Sequence, residues 1–308
     1  MTFVTTDQSP VPSGGVSEWL RAADATRFRV ARFVHSNSER GTVVLLNGRT
    51  EFIEKYFEVI CDLQNRGYSV ATLDWRGQGM SDRPLLNRQK GHVENFDLYV
   101  SDLRQTMTQF IEPNCPAPYR LLCHSMGGNI GIRYLGQYAS TIESAVFTAP
   151  MWGIGRHART PRLLRLAGSA ANLLRLGTSY IPGGKDYGES DRSFEENVLT
   201  HDPARFAGFV AQLKAQPELE LGAPTFEWAR QGIRSMDTIH APGFAESIET
   251  PVRVCTAGAD ALVSVDAQKL VADQLPNGKQ VIIEGAKHEL LMEIDAYRDQ
   301  VFAEFDAL

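Results

Sequence analysis

The strongest constraint on the fold is an alternation that runs through most of the 308 residues, in which short apolar runs are followed by longer segments with helical spacing. The apolar runs fall at about 28–34 (FRVARFV), 43–47 (VVLLN), 69–74 (SVATLD), 120–124 (RLLCH), 144–149 (SAVFTA), 252–257 (VRVCTA) and 280–284 (QVIIE). Most are continuously apolar and do not alternate with polar residues, the pattern of strands covered on both faces. Between the second and third runs, Phe52, Tyr56, Ile60 and Leu63 recur near a helical period, with Gly67 placed to stop the helix. Helices also fit about 93–112, 126–139, 264–275 and 294–307. Strand and helix in alternation imply right-handed crossovers, and so an α/β fold with a mostly parallel twisted sheet flanked by helices. Ligands bind such sheets beyond the carboxyl ends of the strands, which is where chemistry is to be sought.

The alternation stops between about 152 and 245, where no convincing strand appears. We expect an inserted helical cap there, so that 1–151 and 246–308 form two parts of one core and 152–245 covers it. The length suits one core plus an insert. Within the insert, Leu163, Leu166, Ala167, Ala170, Leu173 and Leu174 form an apolar stripe, which either seals the cap onto the body or faces substrate. The stretch from Ser179 to Asp191 is rich in Gly and Asp and reads as a loop, and residues 1–15 read as a flexible or draped terminus.

Hydrophobic residues make up 43% and charged residues 22%, the balance of an ordinary globular chain that can bury a sizeable core. A formal net charge of -6 argues against a nucleic-acid partner, because phosphate binding needs a local excess of Lys and Arg. The segment from Arg156 to Arg175 is locally basic, and is either a solvated helix face or the one place where an anionic surface is attracted. The N-terminal run lacks a basic start followed by an apolar stretch, and no window approaches the roughly 20 apolar residues of a membrane span. We therefore expect a cytoplasmic protein with no transmembrane segment, leaving peripheral membrane contact through the cap open. Cys61, Cys115, Cys123 and Cys255 show no CxxC spacing, so neither a metal nor a disulfide is expected.

The residues with chemical potential sit where strands end. RLLCHSMGGNI puts Ser125 on a sharp turn between an apolar strand and a helix that opens with small residues, the setting of a nucleophile elbow. The usual pattern there is GxSxG, because strand and helix backbones pass very close. Gly127 and Gly128 meet the downstream requirement, and Cys123 stands where the upstream glycine is usual. Cys123 as nucleophile and Ser125 as a plain turn residue are the competing readings; the apex position favours Ser125. A serine hydroxyl needs a base held by a third group, and in this arrangement the order is Ser, acid, His. Asp260 follows the strand VRVCTA and His288 follows QVIIE, which fits both order and placement. Asp266 is the rival acid, but in SVDAQK it suits the cap or first turn of a helix. His124 adjoins the serine only in sequence. His35, His92, His157, His201 and His240 lie in turns or in the expected cap and read as surface or structural residues. Acyl transfer also needs oxyanion donors, for which the backbone N–H groups of Met126 and Arg49 are the candidates; the Arg49 side chain is not required for that role.

With these residues placed, the chain resembles the lysophospholipase L2 and monoacylglycerol lipase branch of the α/β-hydrolases. NGRTEFIEKY at 47–56 is similar to that branch's HGxxExxxxY oxyanion loop, DWRGQGMSDR at 74–83 to its DxRGxGxS turn, and HSMGG at 124–128 to its elbow. GADALV at 258–263 and KHELLME at 287–293 resemble its acid and histidine segments, and NVLTHDPARF and GAPTFEWARQG resemble stretches inside the cap of bacterial members. The resemblance covers nearly all of the chain from about residue 17 and implies the α/β-hydrolase fold with an inserted helical cap. It implies Ser125, Asp260 and His288 as a triad, Arg49 and Met126 as oxyanion donors, and Glu51 and Tyr56 as supports of the oxyanion loop. Asn47 replaces the usual His and Cys123 the usual Gly, departures that bear on the substrate.

The expectation is hydrolysis of a single-acyl lipid ester, a lysophospholipid or a monoacylglycerol, through an acyl-enzyme and without a cofactor. An esterase for a small non-lipid metabolite is the second reading, since folds of this kind host many chemistries. A catalytically silent binding protein is the third.

Overall fold

The computed structural model describes residues 3–6, 9–35, 38–138, 141–155 and 175–308. The Leu163–Leu174 stripe, His157 and all but the last residue of the basic stretch lie outside the described residues. Eight strands form one sheet: β1 (Gly15–Arg21), β2 (Arg27–Phe33), β3 (Thr42–Leu46), β4 (Ser69–Leu73), β5 (Tyr119–His124), β6 (Ile142–Thr148), β7 (Val252–Ala257) and β8 (Gly278–Ile283). They lie in the order β1-β2-β4-β3-β5-β6-β7-β8. β1 pairs antiparallel with β2 and β2 antiparallel with β4, while every later pairing is parallel. Seven of the strands coincide with the apolar runs to within two residues; β1 does not announce itself because GVSEWLR, at the sheet edge, buries only Ser17 fully and carries no continuous apolar run.

The central strands are dry. TVVLL in β3 and SVATL in β4 are buried at every position, as strands sandwiched between helices must be. The covering helices are α1 (Phe57–Asn65), entered through a 3-10 turn at Ile53–Tyr56, and α2 (Asp97–Thr106), which continues into a π-helical turn at Met107–Ile111. They are joined by α3 (Met126–Gln137) and, later in the chain, by α6 (Val265–Ala272) and α7 (Asp295–Asp306). Gly67, at φ +83°, ends α1 as expected, with its N–H donating to the Gln64 carbonyl.

Between β6 and β7 the described residues contribute α4 (Pro203–Ala215), α5 (Phe226–Ile239) and short turns, and no strand of the sheet. Asp202 and Thr225 cap these two helices through their side-chain oxygens. α4 is held to the body by its own apolar cluster, in which Phe209 stacks on Phe52 with ring centroids 5.9 Å apart. At the other end of the chain, Phe3 packs on Phe33 and Phe57, so the described part of the terminus is draped along the body. Among the described residues no helix is long and apolar enough to cross a membrane.

Candidate active site

The site begins at the turn between β5 and α3. Ser125 adopts φ +49° and ψ -113°, a backbone conformation that costs a residue with a side chain on the order of 1–3 kcal/mol. Hydrogen bonds hold it there: its carbonyl accepts from the N–H groups of Gly128 at 2.9 Å, Asn129 at 3.2 Å and Met151 at 2.9 Å, and its own N–H donates to Thr148 O at 3.1 Å. The two glycines that follow are needed for clearance. A Cβ on Gly127 would come within 2.2 Å of the Leu46 carbonyl oxygen, and one on Gly128 within 2.6 Å of Pro150 Cβ. Cys123 lies fully buried with Sγ over Gly131 of α3, so the bulk gained at 123 is accommodated by the missing side chain at 131.

The structure brings Ser125, His288 and Asp260 together from three strand ends. His288 Nδ1 donates to Asp260 Oδ2 at 2.7 Å, and its Nε2 lies 3.0 Å from Ser125 Oγ. An ionised carboxylate is an acceptor only, so the proton sits on Nδ1 and the neutral ring presents Nε2 as acceptor to the serine hydroxyl. Asp260 is aligned in turn by the N–H groups of Leu262 at 2.8 Å and Val263 at 3.0 Å, both donating to Oδ1. Burial works against its charge, but the His288 hydrogen bond and the two backbone donors outweigh it and hold the carboxyl below its ordinary pKa. Asp266 is exposed in the first turn of α6, whose cap is Ser264, and takes no part.

The loop after β3 carries the second part of the site. Glu51 is 3% exposed; its Oε2 accepts from Gly48 N–H and from Tyr56 Oη, the latter at 2.7 Å. Sequence reasoning missed two further supports. Lys55 Nζ donates to Glu51 Oε1 at 2.7 Å and to Glu289 Oε1 at 2.6 Å, bridging this loop to the residue after His288. Gln78 Nε2 donates to the carbonyls of Gly48 at 2.7 Å and Glu51 at 3.1 Å, pinning the loop from the DWRGQG turn. That turn is itself organised by Asp74, which accepts from the N–H groups of Ile53 and Met80 and pairs with the fully buried Arg29. Gly79, at φ +56°, has no room for a Cβ, which would fall 2.2 Å from Asp74 Cγ. Both missed side chains lie inside the quoted motifs at positions that the motif leaves open. Asn47, in the place of the usual His, is fully buried and ties the ends of two strands by donating to Leu73 O at 2.8 Å.

Burial pulls the imidazole of His124 down to about 4, with His288 and Lys55 adding to the shift and Glu51 opposing it. The ring is therefore neutral at physiological pH, with Nδ1 directed at Thr148, and lies 4.9 Å from the His288 ring between centroids. The other described histidines are structural where contacts define them: His92 meets Thr225 Oγ1 at 2.9 Å and His201 meets Glu293 Oε1 at 2.7 Å.

Ser125 and His288 line a cleft of about 760 Å³ whose other walls come from the loop after β3 and from the chain between β6 and β7. Met151, Ile154, Val198, Leu199, Phe206 and Phe209 give it an apolar lining, and Arg49, Lys185, Asp186, Asp191 and Glu196 add charge. Trp228 also lines it while packing on Phe96 at 5.4 Å, so this tryptophan both seals α5 to the body and faces the cleft.

Residues 37–295 match the family described as serine aminopeptidase, S33. The chain is 32% identical over 263 residues to a probable lysophospholipase L2 of Haemophilus influenzae, a match covering 85% of this chain and 81% of the relative. It is 29% identical over 300 residues to lysophospholipase L2 of Escherichia coli, covering 92% and 87%. Among solved structures, a soluble variant of monoglyceride lipase from Saccharomyces cerevisiae superposes with a TM-score of 0.75 at 20% identity, covering 99% of this chain and 98% of that one. Monoacylglycerol lipase from Paleococcus ferrophilus gives a TM-score of 0.70 at 19% identity, covering 91% and 97%. These two structural likenesses establish the fold.

Proposed function

Because the chain belongs to the serine aminopeptidase S33 family of α/β-hydrolases, we propose that it cleaves a carboxylic ester of a single-acyl lipid, with Ser125 as nucleophile. The observation that carries this reading is the unbroken hydrogen-bond chain from Asp260 through His288 to Ser125 Oγ on the wall of a largely apolar cleft. Ser125 Oγ attacks the ester carbonyl while His288 Nε2 takes its proton, and Asp260 holds the ring in the tautomer that can do so. The N–H groups of Met126 and Arg49 receive the oxyanion, each such donor being worth roughly 3–4 kcal/mol in the transition state. Glu51 and Tyr56, with Lys55 and Gln78, hold the loop that carries the Arg49 donor. The alcohol leaves with the proton from His288, and water, activated by the same ring, releases the acid.

The lipid substrate is supported by the relatives named lysophospholipase L2 and by the apolar cleft wall. We take residues 152–245 as a cap over Ser125 that selects the acyl chain, which gains roughly 0.8 kcal/mol for each methylene removed from water. The test is a chain-length series of p-nitrophenyl esters run beside lysophospholipids and monoacylglycerols. Medium or long acyl groups should exceed acetyl in kcat/KM, and at least one of the two lipid classes should be hydrolysed. A preference for acetyl or butyryl esters with no turnover of either lipid would replace this reading with the small-metabolite esterase.

A further inference from the structure

Arg49 is a cation with no counter-charge among the described residues. Its Nη1 donates to Thr50 Oγ1 at 3.0 Å, its Nη2 donates to the Gly222 carbonyl, and its Cζ lies 5.3 Å from the centre of the Trp228 ring. Nε is buried and has no acceptor among the described residues. Among those residues no carboxylate pairs with this guanidinium, and burial pulls its pKa down to about 10. Neighbouring buried cations are treated differently: Lys55 is clasped by Glu51 and Glu289, and Arg29 by Glu54 and Asp74. Arg83 resembles Arg49 in having, among the described residues, no carboxylate partner and an unpartnered buried Nε, and burial lowers it too to about 10, but it turns its two terminal nitrogens onto three carbonyls, those of Gly77, Gly79 and Glu218. Arg49 alone of these arginines lines the cleft that holds Ser125.

We propose that the Arg49 side chain receives the phosphodiester of the substrate's head group, so that the enzyme takes phosphate-bearing single-acyl glycerolipids in preference to uncharged ones. The proposal rests on the ester-hydrolase reading above and narrows it. Leaving a buried donor and a desolvated charge unmatched is costly, and an anion supplied by the substrate removes that cost only when substrate is bound. A planar guanidinium matches the oxygens of a phosphodiester better than any other side chain does. The reach is also right. Seven covalent bonds separate the Arg49 backbone nitrogen, the candidate oxyanion donor, from its terminal guanidinium nitrogens. Six separate the ester carbonyl carbon from phosphorus in a 1-acyl-glycerophosphodiester, so both spans are roughly 7–9 Å when extended. One residue can thus hold the oxyanion through its main chain and the phosphate through its side chain.

The cleft also holds charges of the opposite sign. Glu51 and Glu289 share Lys55, whereas Asp186, Asp191 and Glu196 add negative charge to the lining, Asp186 and Asp191 accepting from the neutral donors Asn87, Tyr180 and Gly188 N–H, and Lys185 adds a further cation there. A phosphodiester followed by an ammonium meets charge of both signs, so a phosphocholine lipid is the suitable probe.

The test compares kcat/KM for 1-palmitoyl-sn-glycero-3-phosphocholine with that for 1-palmitoylglycerol in the wild type, Arg49→Gln and Arg49→Lys. The wild type should favour the phospholipid, Arg49→Gln should lower the ratio at least tenfold, and Arg49→Lys should retain part of it. In addition, sn-glycero-3-phosphocholine should compete with a p-nitrophenyl ester in the wild type and lose that effect at least tenfold in Arg49→Gln. Equal losses on both lipids, or a wild type that the head group does not inhibit, would make Arg49 a structural clasp between the oxyanion loop and Gly222. A wild type that turns over p-nitrophenyl esters and neither lipid would defeat the lipid reading itself, a result distinct from an unchanged ratio.

Discussion

Asp260 faces His288 with one carboxylate oxygen, Oδ2, at 2.7 Å from Nδ1, while its other oxygen takes the N–H groups of Leu262 and Val263. The acid is thus fixed by the main chain of its own turn before it fixes the imidazole. An amide in its place can still accept or donate one bond, but it does not hold the proton on Nδ1. Asp260→Asn should therefore lower kcat by roughly 10³–10⁴-fold with little change in thermal stability. Asp266→Asn, in an exposed first turn, should change kcat less than twofold. Steady-state kinetics on one ester decide it, and the reverse ranking would reassign the acid.

The loop after β3, proposed to carry the Arg49 oxyanion donor, hangs on Glu51. Its carboxylate joins Gly48 N–H, Tyr56 and Lys55, and Lys55 carries the connection to Glu289 beside His288. Loosening the loop should raise the barrier to chemistry more than it weakens ground-state binding. We predict that Glu51→Gln lowers kcat about 10–100-fold with KM within threefold, and that Tyr56→Phe has a smaller effect of the same kind. Lys55→Met should behave differently, costing about 3–5 kcal/mol of stability because two buried carboxylates then face each other without the cation. Denaturant unfolding separates the two classes of effect.

At the elbow, Cys123 is packed against the bare Cα of Gly131. Cys123→Gly should retain most activity with a stability loss of about 1–2 kcal/mol from the vacated volume, whereas Cys123→Leu should fail to fold or lose activity, because strand and helix cannot separate. Burial also raises the thiol well above its ordinary range, which removes it as a nucleophile. Cys123→Ser that folds normally yet is inactive would assign the sulfur a direct role.

His124 makes stability depend on acidity. Its folded pKa of about 4 lies below the unfolded value near 6.5, so the unfolded chain binds a proton that the folded one refuses. Stability is nearly complete above about pH 6.5 and falls as the pH drops toward 4, by roughly 3 kcal/mol for this group, levelling off just below. His92, also lowered by burial, adds to the same slope. Urea unfolding at pH 7 and pH 5 should show a smaller difference for His124→Gln than for the wild type. An identical pH slope in the two proteins would mean that His124 does not carry this effect.

Much of this was legible in the sequence because two strong signals coincide. Buried parallel strands must be continuously apolar, which exposes β3, β4 and β5, and a strained elbow must be flanked by residues without bulk, which exposes Gly127 and Gly128. Ser125, Asp260 and His288 then follow from chain order. What stayed hidden has physical reasons. β1 is an edge strand with solvent on much of its surface, so it leaves no apolar run. Gln78 acts through carbonyls 30 and 27 residues away, and Lys55, although only four residues from Glu51, also reaches Glu289 234 residues away, which no local pattern reports. In the sequence the Arg49 side chain reads only as not required for the oxyanion role; the role proposed for it rests on a carboxylate missing among the described residues, and a missing partner is visible only in three dimensions.

The central claim is that Ser125, activated by His288, forms a covalent acyl intermediate. A fluorophosphonate reacts readily only with a serine so activated, and intact-mass and peptide-level mass spectrometry of the treated protein reads the site directly. One adduct is expected, on Ser125, absent from Ser125→Ala and strongly slowed in His288→Ala. Labelling that persists in Ser125→Ala, or that maps to any other residue, would contradict the account.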